Sequence, residues 1–186
     1  MGRMQVDYLA KRLNGKGNLL EIRGLAGVSV DDEIHAGIVD ELKKYAGMKI
    51  VGSVHGDWTQ TVAQKQVAGI LPTLPKIDGV VTQGGDGFGA AQAIKAAGWP
   101  MPIIILGNRQ KELAWWAEQK KTGYETMSVT IPPGASSFAF WVTADSGGQE
   151  VAARYPHAGA RSEAGGTGCR AREDASGRAR EQEIHA

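Results

Sequence analysis

The chain has 186 residues, 42% of them hydrophobic, and a formal net charge of +1 at pH 7. This length suits one α/β domain or about half of a larger protein. The near balance of charge excludes a global electrostatic field that would attract nucleic acid or an anionic membrane. The single cysteine, Cys169, has no partner for an internal disulfide and no neighbour at metal-ligand spacing.

Apolar, β-branched segments of strand length alternate with segments of helical length between Asn18 and Ile131. The strand-length segments read NLLEI, MKIVGSV, GVVTQ, PIIIL and MSVTI. Strands that alternate with helices are typical of a parallel sheet with helices on its faces. The sequence therefore predicts an α/β fold with a doubly wound parallel sheet. The longest apolar run, PIIIL, is far shorter than a membrane-spanning helix, so we predict no direct membrane insertion.

Several of the intervening segments carry the signals of amphipathic helices. Ser29 precedes VDDEIHAGIVDELKKYAG, which has acids in its first turn, lysines in its last turn and Gly47 as a stop. WTQTVAQKQVAGILPTLP has apolar residues at helical spacing and is closed by Pro72 and Pro75. QKELAWWAEQKKTG ends on lysines and Gly123. We predict a helix for each of these segments.

The stretch VVTQGGDGFGAAQAIKAAG combines a strand, a glycine-rich turn and an alanine-rich helix. Its glycines follow the third strand with no acid about 20 residues on, and no Gly-Lys-Ser/Thr follows them, so neither a dinucleotide fingerprint nor a phosphate loop is present. The glycines either permit close packing of helix on sheet or place Gln83 and Asp86 where open α/β sheets bind their ligands. Amide and carboxylate groups at that edge can hydrogen-bond hydroxyls.

A second polar cluster follows the second predicted strand. Asp57 and Trp58 pair a hydrogen-bond acceptor with a flat apolar face, a combination that grips a sugar ring. In the alternative interpretation, Asp57 or Thr59 caps the next helix and Trp58 packs in the core. Both interpretations stay open at this point.

A third polar cluster follows the apolar strand PIIIL. Asn108 and Arg109 stand there, and a fork of donors in this position can meet a ligand oxygen. Either residue could instead cap the next helix or pair with Glu112. The agreement of three polar strand ends at one edge of one sheet favours a ligand-binding site.

No catalytic residue and no metal site is predicted. His55 is the one histidine near a strand end, and Gly-x-Ser-x-Gly, His-Glu-x-x-His and Cys-x-x-Cys are all absent. Asp57 and Asp86 could form an acid/base pair, but no pKa tuning can be read from the sequence. We predict a binding protein without a cofactor rather than an enzyme. A small α/β enzyme is the alternative, and turnover abolished by Asp57→Asn would be its minimum evidence.

The composition changes abruptly after residue 142. Residues 143–186 contain no Leu, Met, Phe or Trp and are rich in Ala, Gly, Arg and Glu. Such a segment buries too little apolar surface to offset its ordering entropy. We therefore predict one domain over residues 1–142 and a disordered tail over residues 143–186.

The segment GLAGVSVDDEIHAGIVDELKKYAGMKIVGSVHGDWTQTVAQKQVAGILPTLPKIDGVVTQGGDGFGAAQAIKAAG resembles the C-terminal lobe of the type I periplasmic sugar-binding proteins, the substrate-binding subunits of bacterial ABC importers. The resemblance runs from about Leu9 to Val142. It implies a small-molecule sugar as ligand, an ABC permease as partner of the intact protein, a periplasmic location and no nucleic acid. Repressors of the lac type share this lobe, so a ligand-sensing lobe of such a repressor is the alternative function.

The resemblance also implies roles for individual residues. Trp58 resembles the stacking aromatic of this lobe, and Asn108 resembles the polar residue after its fourth strand. Gln83 or Asp86 falls where the family places an Asn-Asp pair. Many relatives carry an arginine in the helix start where this chain has DDEIH, so that ligand-pairing charge is missing and the preferred sugar is expected to differ.

Two departures from the family concern the whole chain. The family has an N-terminal lobe behind a signal peptide, whereas Met1 opens here almost directly on the second lobe. We therefore expect a truncated chain that lacks one wall of the cleft and, without a signal peptide, remains in the cytoplasm. After FWV the family continues into a Val-Pro run, whereas this chain continues towards AARYPHAGAR. We hypothesise that the segment after Thr143 is translated out of frame.

Overall fold

The computed structural model describes residues 1–130. Within them, helices and strands alternate along the chain, as the sequence predicts. The elements are α1 (Gly2–Arg12), β1 (Lys16–Arg23), α2 (Ser29–Leu42), β2 (Gly47–His55), α3 (Gln60–Ile70), a 3-10 turn (Leu71–Thr73), β3 (Gly79–Thr82), α4 (Gly87–Ala96), β4 (Ile103–Ile104) and α5 (Gln110–Lys120).

All strand pairs in the sheet are parallel, and the strand order is β2-β1-β3-β4. β1 and β3 therefore lie side by side in the middle, although the chain visits β2 between them. The strand order reverses direction between these two central strands. In open α/β sheets such a reversal opens a crevice at the carboxyl ends of the strands.

The sheet separates two hydrophobic cores, because successive side chains of a strand point to opposite faces. Leu20, Val80 and Ile104 pack with α3 and α4, whereas Leu19 and Val81, their chain neighbours, pack with α1 and α2. Both faces of the central strands are thus covered by helices, which confirms the predicted doubly wound α/β class.

The observed helices match the predicted ones with shifted ends. The helix predicted after Ser29 includes that residue and ends at Leu42, and Gly47 begins β2 instead of stopping the helix. The second predicted helix ends at Ile70, where the 3-10 turn that contains Pro72 takes over. The proline terminates the helix because it removes a backbone donor.

The sequence patterns above do not predict α1, the first helix of the chain. Its buried apolar residues include Val6, Leu9 and Ala10, which share one face by helical spacing. Gly2 brings α1 close to α2, because a Cβ at that position would run into the carbonyl oxygen of Ile34. The start of α1 therefore lies beside the middle of α2, at Ile34 and Ile38.

The fifth predicted strand, MSVTI, contributes a single bridge between Leu106 and Ser128 within the described residues. The strand prediction was therefore too long there. The predicted tail over residues 143–186 and the last part of the predicted domain over residues 1–142 lie outside the described residues. Among the described residues, no helix has the length and apolar character needed to span a membrane.

Candidate ligand-binding site

The candidate site lies at the carboxyl edge of the sheet, where the loops that follow the strands come together. These loops carry all of the residues that the sequence predicts for ligand contact. They are Asp57 and Trp58 after β2, Gln83 and Asp86 after β3, and Asn108 and Arg109 after β4. Most of these residues interact with one another or with neighbouring loops through hydrogen bonds, close contacts or electrostatic interactions.

Asp86 is the most unusual of these residues. It stands directly before α4 and has no accessible surface, and neither of its carboxylate oxygens has a hydrogen-bond partner among the described residues. Burial, together with the charges of Glu112 and Asp57 and against the charge of Arg109, raises the pKa of Asp86 to about 7. Asp86 is therefore a carboxyl group with unused hydrogen-bonding capacity that changes its charge near neutral pH.

Arg109 links the loops of three strands. Its Nη2 donates a hydrogen bond to the carbonyl oxygen of Trp58 at 2.7 Å. Its guanidinium also lies against Gly85, whose φ of +88° and lack of a side chain leave room for it. The Arg109 amide, and not its side chain, donates to Glu112 Oε2 at 3.3 Å. The exposed guanidinium of Arg109 therefore spans the edge between β3 and β2.

Asp57 and Trp58 form a strained corner. Both have left-handed backbone conformations, with φ of +52° and +51°, and such conformations in residues other than glycine are stored at functional sites at a cost of about 1–3 kcal/mol each. The half-buried Trp58 ring packs against Gly24, where no side chain could fit. Thr59 stands at the N-cap of α3, and its hydroxyl donates to the Asp57 carbonyl at 3.0 Å. The corner therefore presents the indole beside the end of β1.

Gln83 is buried at the base of the edge. Its Nε2 donates to Asp31 Oδ1 at 2.7 Å and to the Asp31 carbonyl at 3.0 Å, while its Oε1 has no partner among the described residues. The amide nitrogen is thus engaged with α2. The amide oxygen of Gln83 is buried and stays without a hydrogen-bond partner among the described residues.

Asn108 and His55 lie on the rim of the same edge. Asn108 is exposed in the loop that follows β4. His55 Nδ1 lies 2.7 Å from the Gly24 carbonyl, and because a carbonyl oxygen only accepts, this nitrogen carries the proton. Among the described residues, no group of three His, Cys, Asp or Glu side chains could hold a metal ion.

The pair of Arg23 and Asp31 was not singled out from the sequence. Asp31 is fully buried and accepts hydrogen bonds from Arg23 Nη2 at 2.6 Å and from the Gly24 amide at 2.8 Å. Burial works to raise the pKa of Asp31, but the hydrogen bonds from Arg23, Gly24 and Gln83 and the charge of Arg23 outweigh it and hold the pKa below its usual value. Arg23, at the end of β1, therefore places a positive charge beside the first turn of α2, whose charged residues are both acids.

Gln5 and Glu112 support the loop after β3 from within the protein, and the sequence did not predict a role of this kind for either residue. Gln5 is buried, and its side-chain amide pairs with the backbone of Thr82, donating to the carbonyl at 2.7 Å and accepting from the amide at 3.0 Å. Glu112 is also buried, and its Oε1 accepts from the Gly87 amide at 3.0 Å. Both hold the loop after β3, and helical spacing in α1 was the one signal that could have located Gln5.

Comparison with known proteins identifies the fold at the family level. The family model described as "Periplasmic binding protein domain" matches residues 1–155. The chain is 35% identical to the xylitol-binding protein of Mycolicibacterium smegmatis over 106 residues, which cover 55% of this chain and 30% of that protein. It is 31% identical to the galactofuranose-binding protein YtfQ of Escherichia coli over 144 residues, which cover 75% of this chain and 45% of that protein.

A solved structure agrees with these sequence matches. The ABC transporter solute-binding protein from Thermobispora bispora superposes with a TM-score of 0.67 at 30% identity, covering 77% of this chain and 45% of that one. The chain thus spans less than half the length of each of the three relatives named here. The matched family model, the parallel sheet and the polar edge agree, and the chain belongs to the periplasmic binding protein domain family.

Proposed function

We propose that this chain forms one lobe of a sugar-binding protein that serves a bacterial ABC importer, and that the carboxyl edge of its sheet is one wall of the ligand cleft. The names of its relatives, which bind xylitol and galactofuranose, support a polyhydroxylated ligand. The observation that carries the proposal is Asp86, whose two buried oxygens have no hydrogen-bond partner among the described residues and lie at the edge where open α/β sheets bind ligands.

The energetics of Asp86 also favour a role in binding over a role in folding. The folded state holds a proton on Asp86 up to about pH 7, whereas an aspartate in an unfolded chain loses it near pH 3.8. Folding stability therefore falls as the pH rises from about 3.8 to about 7, because the folded state binds more protons in that window. Such a shift corresponds to at most about 4 kcal/mol. A residue that costs stability at an otherwise packed edge is typical of a functional site.

The neighbouring side chains complete a surface that suits a sugar. Trp58 offers an apolar face, while Asp57, Asn108 and the Oε1 atom of Gln83 offer acceptors for hydroxyl groups. Arg109 offers donors and spans the edge from Gly85 to Trp58. Since Asp86 has no accessible surface, a ligand reaches it only when a covering group moves. The exposed Arg109 side chain, held by its bond to the Trp58 carbonyl, is our candidate for that movement.

Several properties of the intact protein follow as proposals from this function. We propose an ABC permease as its partner and the periplasm as its location, and we expect solute binding without catalysis. None of the three relatives named above is a transcription factor, so the lac-type repressor alternative has no support.

Titration of the chain with sugars, followed by amide chemical shifts, tests the proposal. Because the chain spans less than half of its relatives, we expect weak binding of pentitols and aldoses, with shifts confined to the loops after β2, β3 and β4. Asp86→Asn should abolish the shifts and, at pH 8, raise the free energy of unfolding, because it removes a buried ionised carboxylate. Asp40→Asn, at an exposed site on α2, is the matched control and should do neither. Shifts that are absent at all sugar concentrations, or unchanged by Asp86→Asn, would refute the proposal.

A further inference from the structure

Two carboxyl groups lie at the start of α4. Asp86 is the residue immediately before the helix, yet it accepts no hydrogen bond from it. Glu112 reaches the same place from α5 and accepts the hydrogen bond of the first helical amide, Gly87, at 3.0 Å. This bond holds the carboxyl group of Glu112 beside the buried carboxyl of Asp86, which has no hydrogen-bond partner among the described residues.

The charges around Asp86 add to the effect of its burial on its protonation. Among the described residues, those that act on it are Glu112 from α5, Arg109 from the loop before α5, and Asp57 from the loop between β2 and α3. Two of these are acids and disfavour a second negative charge. The guanidinium of Arg109 is hydrogen-bonded to a backbone carbonyl, and among the described residues it forms no ion pair with a carboxylate.

We propose that Glu112 is a positioning residue of the binding site, which adds to burial in keeping Asp86 protonated in the unliganded lobe, so that ligand binding releases a proton. This inference rests on the proposed function, since it concerns the same site. Glu112 does not touch the ligand in this mechanism. It acts by placing a negative charge next to Asp86, where its bond from the Gly87 amide holds it.

The consequence for binding is a specific pH dependence. Hydroxyl groups of a ligand that donate to Asp86 supply the partners that the unliganded carboxyl lacks, and they therefore favour its ionised form. With a titration midpoint of about 7 in the free lobe, the ionised fraction falls about tenfold between pH 8 and pH 6. We expect the affinity to fall by the same factor over this range. Asp86→Asn should lose affinity and this pH dependence together.

The protonation of Asp86 can be measured without any ligand. Carboxyl carbon shifts of aspartate-labelled protein should show Asp86 titrating near pH 7, and Glu112→Gln should move this midpoint down. Glutamine keeps an oxygen that accepts from the Gly87 amide but gives up the 3.3 Å bond from the Arg109 amide, so the change removes the charge and this longer bond. Glu118→Gln is the matched control on the exposed side of the same helix, and it should leave the midpoint in place. A midpoint in the ordinary range in the unmodified chain, or one that Glu112→Gln leaves unchanged, overturns the inference.

A second measurement keeps the inference testable if Glu112→Gln does not fold. Calorimetric titration of the unmodified chain with a sugar at pH 6.5, in buffers of different ionisation enthalpy, counts the protons released on binding. We expect more than half a proton per ligand, as the ionised fraction at that pH implies. Sugar binding without proton release overturns the inference but leaves the proposed function standing. If Asp86 titrates as expected and no sugar binds, the proposed function fails instead.

Discussion

Replacing Asp31 by asparagine tests how much the cleft edge depends on its buried ion pair. Asp31 has no accessible surface and is paired with Arg23, whose side chain is 19% exposed. Removing one partner from a buried pair costs about 3–5 kcal/mol because the other charge is left uncompensated. Arg23 keeps some solvent and a second partner in Asp32, at 2.8 Å. We therefore expect the lower end, a loss of about 3 kcal/mol in the free energy of unfolding.

The lowered pKa of Asp31 also predicts how the free energy of unfolding changes with pH. The pKa of Asp31 in the folded state lies below the usual value for an aspartate, because the hydrogen bonds and charge of Arg23 outweigh burial. Its contribution is thus fully present above about pH 4–5 and is lost as the pH falls through the folded pKa. The unmodified chain should lose stability in that acid window. Asp31→Asn should lose less there, because the ionisable group is gone.

Urea denaturation followed by tryptophan fluorescence measures both effects, at pH 7 and across the acid window. Asp32→Asn is the control, because Asp32 bonds to the same guanidinium but is 68% exposed. Exposed pairs contribute about 0–1 kcal/mol, so this control should stay within that range. A loss below about 1 kcal/mol for Asp31→Asn, or equal losses for the two variants, would refute the idea that burial makes the Asp31–Arg23 pair important for stability.

Two further predictions concern β4 and the glycine turn. The hydroxyl of Tyr124 accepts a hydrogen bond from the Ile104 amide of the short strand β4 at 2.8 Å. Tyr124→Phe leaves that amide without its partner and should lower the free energy of unfolding, measured by urea denaturation, by about 1–3 kcal/mol. A loss below about 0.5 kcal/mol would contradict this expectation. Gly85→Ala should cost more than Gly98→Ala, because both have left-handed φ but only the first would collide with Arg109. The Gly98 variant should lose about 1–2 kcal/mol, and equal losses would mean that the Arg109 contact carries no weight.

The fold could be predicted because its signals are local. Runs such as GVVTQ and PIIIL are buried on both faces, so they stand out as strands wherever they occur in the chain. α1 was missed because its few buried apolar residues are spread among charged ones, and the face they form is visible only by helical spacing. The MSVTI segment has strand composition, but its described part makes only one bridge, to Leu106. Composition cannot determine how many backbone partners a segment finds.

The convergence of the candidate site residues at one edge could be predicted as well, for a geometric reason. Parallel strands place their carboxyl ends at one edge, so polar residues after β2, β3 and β4 converge without any knowledge of their contacts. The contacts themselves join residues that are far apart in the chain. Gln83 and Asp86 read alike in the sequence, yet Asp31, 52 residues earlier, engages Gln83.

Asp86 shows most clearly why local rules stop short of the site. An aspartate immediately before a helix is a standard N-cap, and its carboxylate should accept a helix amide. Here Asp86 makes no such bond, and the first helical amide, Gly87, donates to Glu112, 25 positions further along the chain. Burial, with the charges of Glu112 and Asp57 added, raises the pKa of Asp86. A capping rule applied to residues 86–90 alone would have assigned Asp86 to helix stability, whereas the tertiary structure leaves its carboxyl buried without a hydrogen-bond partner among the described residues.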